Sequence, residues 1–160
     1  MSTQKNQQNP VLFNDKSLKV EDFLENPLTN NRYFGYVDGI HDYPTGYIIL
    51  KWGTHRHNHK GFGCIHIWKQ HQACFRVKRL CTKIEEIPLL VNRILQPGTQ
   101  IIESESYDPN NGKRLAVLRS STGTIILEWR KGYYSIVTLH LGKTMAGVVV
   151  GSVRRLPNPI

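Results

Sequence analysis

Apolar and polar positions alternate with the two-residue period of β-strands through most of the second half of the chain. Five such runs occupy residues 100–104, 113–120, 124–130, 133–141 and 146–155. Turn sequences, among them Asn110-Asn111-Gly112 and Lys131-Gly132, separate the runs. Because tight turns join antiparallel neighbours, the pattern predicts an antiparallel meander of about four to five strands.

A helical period precedes the meander, over residues 84–96. The apolar stripe of a buried helix face is formed by Leu90, Val91, Ile94 and Leu95. Pro88 is tolerated in the first turn of such a helix. Shorter helices are predicted over 63–71 and 18–24. Helices that come before a meander indicate an α+β fold, with N-terminal helices packed on one face of the sheet.

The other segments complete a single domain over residues 11–160. Residues 1–10 are polar, lack a signal-peptide pattern and are expected to form a disordered tail. Aromatic and β-branched residues between Tyr33 and Trp52 predict an elaborated hairpin, with a loop-rich cap as the alternative. No run approaches the roughly 18 apolar residues that a membrane-spanning helix needs, so the folded domain is not expected to act in a membrane.

The chain is strongly basic, with 21 Lys and Arg residues against 12 Asp and Glu, a formal charge of +9 and a pI of about 9.6. A surplus of this size favours an anionic partner, such as nucleic acid, an acidic protein or a membrane surface. The three cysteines form no CxxC pair. That pattern argues against a disulfide framework and favours a reducing compartment where the protein acts.

Histidines are concentrated in one stretch, since five of the seven lie between His55 and His71. On a strand, His55, His57 and His59 would point the same way and could bind zinc, with Cys64 as a fourth ligand. No acidic residue is interleaved, and the neighbouring basic residues and glycines favour a mobile basic loop over a strand. A zinc-dependent hydrolase is therefore the lesser alternative.

The same residues suit the cleavage of RNA without a metal. Imidazole titrates near neutral pH and can act as acid or base, the 2′-OH of RNA is the nucleophile, and cations stabilise the phosphorane. The candidates are His66, His71, Arg119, Arg130, Thr138 and His140. Each of the strand residues has an alternative reading as an ordinary half-buried side chain. Carboxylates are sparse and none pairs within a basic pocket, which disfavours two-acid hydrolases and two-metal nucleases.

The stretch from Gly61 to His71, G-F-G-C-I-H-I-W-K-Q-H, resembles a motif of small nucleases in the barnase, EndoU, colicin-tRNase and RelE-like superfamily. The likeness is to the phage-encoded and polymorphic-toxin branches, and the order of a His-bearing helix, a second helix and a meander extends it over residues 60–155. His66 and His71 match the two motif histidines. Arg119 and Thr138 match a phosphate-binding residue and a hydroxyl residue by element order alone. The upstream run of His55, His57 and His59 is not part of the motif.

The resemblance implies a metal-independent ribonuclease toxin that cleaves RNA, often tRNA, and leaves a cyclic phosphate. It also implies an acidic immunity protein or antitoxin as partner, and action in the cytoplasm of a target cell, which the domain reaches either as a secreted free-standing protein or as part of a larger toxin. No cofactor is expected. We therefore predict His66, His71, Arg119, Thr138 and His140 as catalytic residues, and Lys69, Arg76, Lys78 and Arg130 as RNA contacts. The rivals are a non-catalytic nucleic-acid-binding module, the zinc hydrolase and a protein-interaction domain.

Overall fold

The computed structural model of the protein describes residues 10–13, 17–39, 43–57, 60–108, 112–119, 122–141 and 147–156. Apart from Pro10, the predicted N-terminal tail lies outside these ranges. The strands are β1 Tyr33–Val37, β2 Gly46–Ile49, β3 Thr54–His57, β4 Lys60–Phe62, β5 Gln100–Asp108, β6 Gly112–Arg119, β7 Gly123–Arg130, β8 Tyr133–Leu141 and β9 Val149–Ser152. The helices are α1 Gly63–Val77 and α2 Ile87–Ile94, the latter preceded by a 3-10 turn over Ile84–Glu86.

Seven strands form one sheet in the order β1-β2-β8-β7-β6-β5-β9. The consecutive pairs from β5 to β8 are antiparallel, which confirms the meander and the α+β class. The sheet is larger than predicted because the β1–β2 hairpin joins it, with β2 parallel to β8. Two helices, fewer than the three predicted, lie within the described residues.

The last predicted strand does not follow β8 in the meander, which therefore has four strands. β9 crosses to the opposite edge of the sheet and pairs with β5. Just beyond it, the Arg154 amide donates a hydrogen bond to the Tyr36 carbonyl on β1, with N and O 2.9 Å apart. The curled sheet therefore meets itself at this point, which the alternation within one strand could not reveal.

Two hydrophobic clusters lie on opposite faces of the sheet. The larger one contains Ile67 and Phe75 of α1, the apolar stripe of α2, and Ile125 and Leu127 of β7. The smaller one contains Ile102, Ala116, Ile126 and Val137, with Phe62 packed against them. Since successive strand residues face opposite sides, β7 contributes to both clusters. No helix in the described ranges is long and apolar enough to span a bilayer.

The predicted helix over residues 18–24 is not formed. The Leu24 amide donates to the Leu50 carbonyl, and the Trp52 amide donates to the Asp22 carbonyl. Pairing with the chain after β2 therefore satisfies the backbone groups that a helix would have used, and tertiary structure overrides a weak local pattern. By contrast, α1 runs further than the predicted residue 71, to Val77, whose side chain is 83% exposed.

Burial separates the three thiols, and this gives a test of the core. Burial raises the pKa of Cys81 to about 11 and holds the pKa of Cys64 well above its usual value, whereas Cys74 is exposed. At pH 8 we expect iodoacetamide to modify Cys74 rapidly and the other two only after unfolding. Mass spectrometry of the folded protein checks this, and fast labelling of Cys81 would contradict it.

The same shifts set a pH dependence of stability. A raised thiol pKa means that the unfolded chain ionises first, so its protons are lost at lower pH than those of the folded protein. The contribution of the Cys81 thiol to the free energy of unfolding is therefore expected to be constant below about pH 8.5 and to fall as the pH rises towards 11. Denaturant melts of the Cys81→Ala variant, which should lack part of this fall, provide the comparison.

Candidate functional site

Residues predicted to form a mobile loop instead form a β-hairpin. β3 pairs antiparallel with β4, and residues 58 and 59 between them lie outside the described ranges. Glycine makes the packing possible, because a Cβ on Gly53 would lie 1.9 Å from the Phe62 carbonyl oxygen, and one on Gly61 would lie 2.2 Å from that of Thr54. The two strands thus approach each other more closely than any residue with a Cβ would allow, and α1 is also near, because the same two Cβ atoms would lie 2.9 Å from Gly63 Cα and from His66 Nδ1, respectively.

The β3–β4 hairpin lies over the sheet face that carries the smaller hydrophobic cluster. Phe62 packs on that cluster and fixes the end of β4 there. Between the hairpin and the sheet is a cleft of about 480 Å³. It is lined by Thr54, Arg56, His57, Lys60, Gly61 and Phe62 from the hairpin side and by Arg114, Glu128, Arg130 and Val137 from the sheet. This volume lies within the range of small-molecule sites and suits a nucleotide-sized group.

The cleft is positively charged around one buried carboxylate. Glu128 is 3% exposed, and its Oε2 accepts a hydrogen bond from Arg114 Nη2 at 3.1 Å. Its Oε1 lies 3.6 Å from Arg130 Nη2. Arg56 and Lys60 add two exposed cations from the hairpin. Four cations against one carboxylate favour a phosphate or other oxyanion, and the planar guanidinium groups can bind such oxygens in pairs.

Histidines stand beside and within this cleft. His57 is exposed and is part of the cleft lining. His55 Nδ1 lies 2.9 Å from His66 Nδ1 in the first turns of α1, and the two rings have centroids 5.1 Å apart. One of these two nitrogens must therefore carry the hydrogen and the other accept it. His66 is only 3% exposed, so the more open ring of the pair is that of His55.

A second polar cluster lies where α1 contacts β8. The rings of His71 and His140 meet edge to face with centroids 5.3 Å apart. Thr138, two residues before His140, is 9% exposed, and its hydroxyl has no hydrogen-bond partner among the described residues. The fold thus brings His71 and His140 into contact and places Thr138 on the same strand as His140. The residues that line the cleft do not include them.

The other predicted site residues are dispersed. Arg130 lies in the cleft, whereas Lys69, Arg76 and Lys78 are exposed along α1 and at its end. Arg76 stacks on Trp68, with its guanidinium carbon 5.3 Å from the ring centroid. The backbone of Arg119 pairs with Gly123 at the end of β6, and its side chain lies outside what the structure describes.

A zinc site is not assembled by the described part of the chain. Within the described ranges, no group of three or more His, Cys, Asp or Glu side chains is placed to hold a metal ion. Cys64, the suggested fourth ligand, is fully buried in the larger hydrophobic cluster. His59 lies outside the described residues, so the three-histidine set remains a prediction.

Sequence reasoning missed the centre of the cleft. It disfavoured a pair of carboxylates within a basic pocket but did not consider a single one, and Glu128 is flanked by Arg114 and Arg130. The available signal was the position of Glu128 two residues before Arg130, since strand residues two apart share a face. Arg114 could not be added without the register that places β6 beside β7.

Comparison with known proteins adds nothing to this description. No protein-family model, curated protein or solved structure matches the chain. The chemistry of the cleft and of the histidines beside it therefore has to support any functional proposal.

Proposed function

We propose that this protein is a metal-independent ribonuclease that binds a phosphodiester in the cleft between the β3–β4 hairpin and the sheet. The observation that carries the proposal is the combination of His57 with four cations in one nucleotide-sized cleft. Cations bind the phosphate and stabilise the extra negative charge of the phosphorane. Imidazole supplies the acid and base that metal-free RNA cleavage needs.

The proton transfers are proposed for two histidines of β3. His57 lines the cleft, whereas His55 lies outside the cleft lining and is separated from His57 by an irregularity in the β3–β4 pairing, so His55 is proposed to act from beside the cleft. One neutral imidazole removes the proton of the 2′-OH, and the 2′ oxygen forms a bond to phosphorus. The bond from phosphorus to the 5′ oxygen breaks, and the other, protonated imidazole delivers a proton to that oxygen. The products are a 2′,3′-cyclic phosphate and a 5′-hydroxyl end.

His66 takes a supporting role in this proposal. Its contact with His55 Nδ1 fixes the ring orientation and the position of the hydrogen, much as a third group orients the base in other acid–base sites. The His71–His140 cluster with Thr138 supports the contact between α1 and β8. The sequence-based choice of His66, His71, Thr138 and His140 as reacting groups remains the competing proposal, and the substitutions described below separate the two.

We extend the proposal to the toxin role that the sequence resemblance implies. A basic cleft is complementary to an acidic protein, which would inhibit the enzyme by covering the cations. tRNA is the proposed substrate, and the cytoplasm of a target cell is the proposed place of action. A small acidic protein encoded next to this chain, and binding it with loss of cleavage, would support this part. Binding that leaves cleavage intact would count against it.

Incubation of the purified protein with total tRNA in EDTA tests the proposed activity. The expected result is cleavage with 2′,3′-cyclic phosphate and 5′-hydroxyl ends, and matched DNA should remain intact because it lacks the nucleophile. Binding of tRNA with no cleavage, either in EDTA or with added divalent ions, would instead favour a nucleic-acid-binding module. Cleavage that requires a divalent ion would favour a metal-dependent hydrolase.

Replacing Glu128 with Gln tests how the cleft holds phosphate. The substitution makes the cleft more positive, so charge alone predicts tighter binding. We expect the reverse, with kcat/KM lowered about 10- to 100-fold, because Arg114 and Arg130 lose the carboxylate that positions them. Glu85→Gln, an exposed residue with the same charge change, is the matched control. Equal or faster cleavage by the Glu128→Gln variant would contradict the positioning role.

A further inference from the structure

A second basic surface covers the outer side of α1 and the chain that follows it. It consists of five exposed basic residues, Lys69, Arg76, Lys78, Arg79 and Lys83. We name them the α1 basic surface. None of them lines the cleft. The nearby carboxylate of Glu86 accepts hydrogen bonds from the hydroxyl and amide of Thr82, which occupies one of its oxygens.

Arg79 has a backbone conformation that an arginine rarely adopts. Its φ is +56°, in the left-handed region, directly after the end of α1. The Leu80 amide closes the helix by donating to the Phe75 carbonyl at 2.9 Å, an arrangement in which glycine is the usual residue. In the described ranges the other non-glycine residue with positive φ is Asn30, a residue type that tolerates this conformation. Arginine at this position is strained, and strain that is retained points to a use for the side chain.

We infer that the α1 basic surface is a second RNA-binding surface, with Arg79 as one of its phosphate contacts. The identity of the ligand as RNA depends on the proposed function, whereas the surface itself is defined by charge and strain. An anionic membrane is a less suitable ligand for this surface, because Val77 is the one highly exposed large apolar side chain between Lys69 and Lys83. Trp68, the nearest large aromatic, is half-buried beneath Arg76 and stacked on Phe75.

The distance from the cleft sets the size of the RNA. Phe62 lines the cleft, α1 begins at the next residue, and Arg76 lies 13 positions further along the helix. At the rise of an α-helix this separation is about 20 Å. About six successive phosphates of one helical strand cover that distance. An RNA that contacts both the cleft and the distal residues Arg76, Lys78 and Arg79 is therefore several nucleotides long, and a trinucleotide in the cleft does not reach them.

The experiment compares two uncleavable probes, a 2′-O-methyl stem-loop of about 24 nucleotides and a 2′-O-methyl trinucleotide. Binding is followed by fluorescence anisotropy across a range of salt concentrations. For the triple variant Arg76→Gln, Lys78→Gln, Arg79→Gln, we expect stem-loop affinity to fall about tenfold or more, with the salt slope reduced by about 3. Trinucleotide affinity should be unchanged. The matched control, Lys19→Gln, Arg154→Gln, Arg155→Gln, removes the same charge from exposed positions elsewhere.

The substitution Arg79→Gly distinguishes the effect of the backbone strain at this position from the effect of the side-chain charge. Glycine relieves the positive φ, so we expect the melting temperature to rise by about 2 °C while stem-loop affinity falls about threefold. Arg79→Lys keeps both the charge and the strain and should resemble the wild type. A glycine variant that is no more stable, or one that binds the stem-loop normally, would overturn the inference about Arg79.

The remaining outcomes also distinguish this inference from the proposed function. Equal losses of stem-loop affinity in the α1 triple variant and in its control would mean that only total charge matters. That result would overturn the inference that the α1 basic surface binds RNA. Binding of the wild type to vesicles of anionic lipid but not to the stem-loop would do the same. Specific stem-loop binding by a protein that cleaves no RNA would support the surface and reject the ribonuclease. If the wild type cleaves RNA and the triple variant binds the stem-loop as well as the wild type does, only the RNA-binding role of the α1 basic surface would be rejected.

Discussion

His57→Ala is expected to lower the rate of RNA cleavage by about 10²- to 10⁴-fold, the range found when a general acid or base is removed. The imidazole of His57 is exposed and lies in the cleft, so its removal should not disturb the core. The melting temperature should remain near that of the wild type. Single-turnover cleavage of tRNA in EDTA measures the chemical step without product release.

His71→Ala and His140→Ala are the informative comparisons for that loss. Their rings contact each other outside the cleft lining, so the proposal expects both variants to retain most of the chemical step. If instead His57→Ala cleaves normally and these two variants are inactive, the reacting groups belong to the cluster of α1 and β8. His66→Ala should lose less of the chemical step than His55→Ala, because His66 only orients the ring of His55, whereas His55 itself is proposed to transfer a proton.

Gly53→Ala is expected to lower the free energy of unfolding by about 3–5 kcal/mol, which places it among the most destabilising single substitutions. A methyl group there would lie 1.9 Å from the Phe62 carbonyl oxygen and 2.8 Å from its carbon, both of them backbone atoms. The φ of +79° adds conformational strain. Either the chain at Gly53 moves away from β4 or the protein unfolds, so cleavage should be lost in both cases.

The matched control for Gly53 is Gly98→Ala. Gly98 has a similar φ of +91°, but no atom lies within 4 Å of the position that a Cβ would take. Its substitution therefore carries the conformational cost alone, about 1 kcal/mol. Urea denaturation of the two variants separates the terms. Equal destabilisation would mean that the close approach of Gly53 to the end of β4 is not a rigid feature of the fold.

Local patterns predicted the elements whose structure is decided locally. The four strands from β5 to β8 follow the alternation and turns of the sequence, and α2 follows the apolar stripe around Leu90. The β1–β2 hairpin was predicted for the same reason. These elements need only nearby residues to select their conformation, which is why the sequence contains enough information to place them.

Contacts between distant residues decided the rest. The parallel pairing of Tyr47 with Tyr133 and the crossing of β9 to β5 join segments that no local period relates. The hairpin over His55 and His57 was rejected in favour of a loop, because its register depends on glycines pressed against α1. The cleft depends in turn on that hairpin, so its lining was only partly predictable.

Within the candidate site, residue type was easier to predict than grouping. The histidines and Arg130 were predicted as chemically active from their types and neighbours, and Arg130 does lie in the cleft. The division of the imidazoles into a His55–His66 pair and a His71–His140 pair depends on where α1 crosses β3 and β8. Glu128 reads as an ordinary strand residue until Arg114 on the neighbouring strand is placed beside it.

The most direct test of the ribonuclease proposal uses a pool of 2′-O-methyl strands that each contain one unmodified ribose, at varied positions and beside varied bases. The wild-type protein in EDTA is expected to cut only on the 3′ side of the ribose and to leave a 2′,3′-cyclic phosphate there. His57→Ala should leave the pool intact under the same conditions. Cleavage at 2′-O-methyl positions, a requirement for divalent metal, or no cleavage of any member of the pool would contradict the proposal.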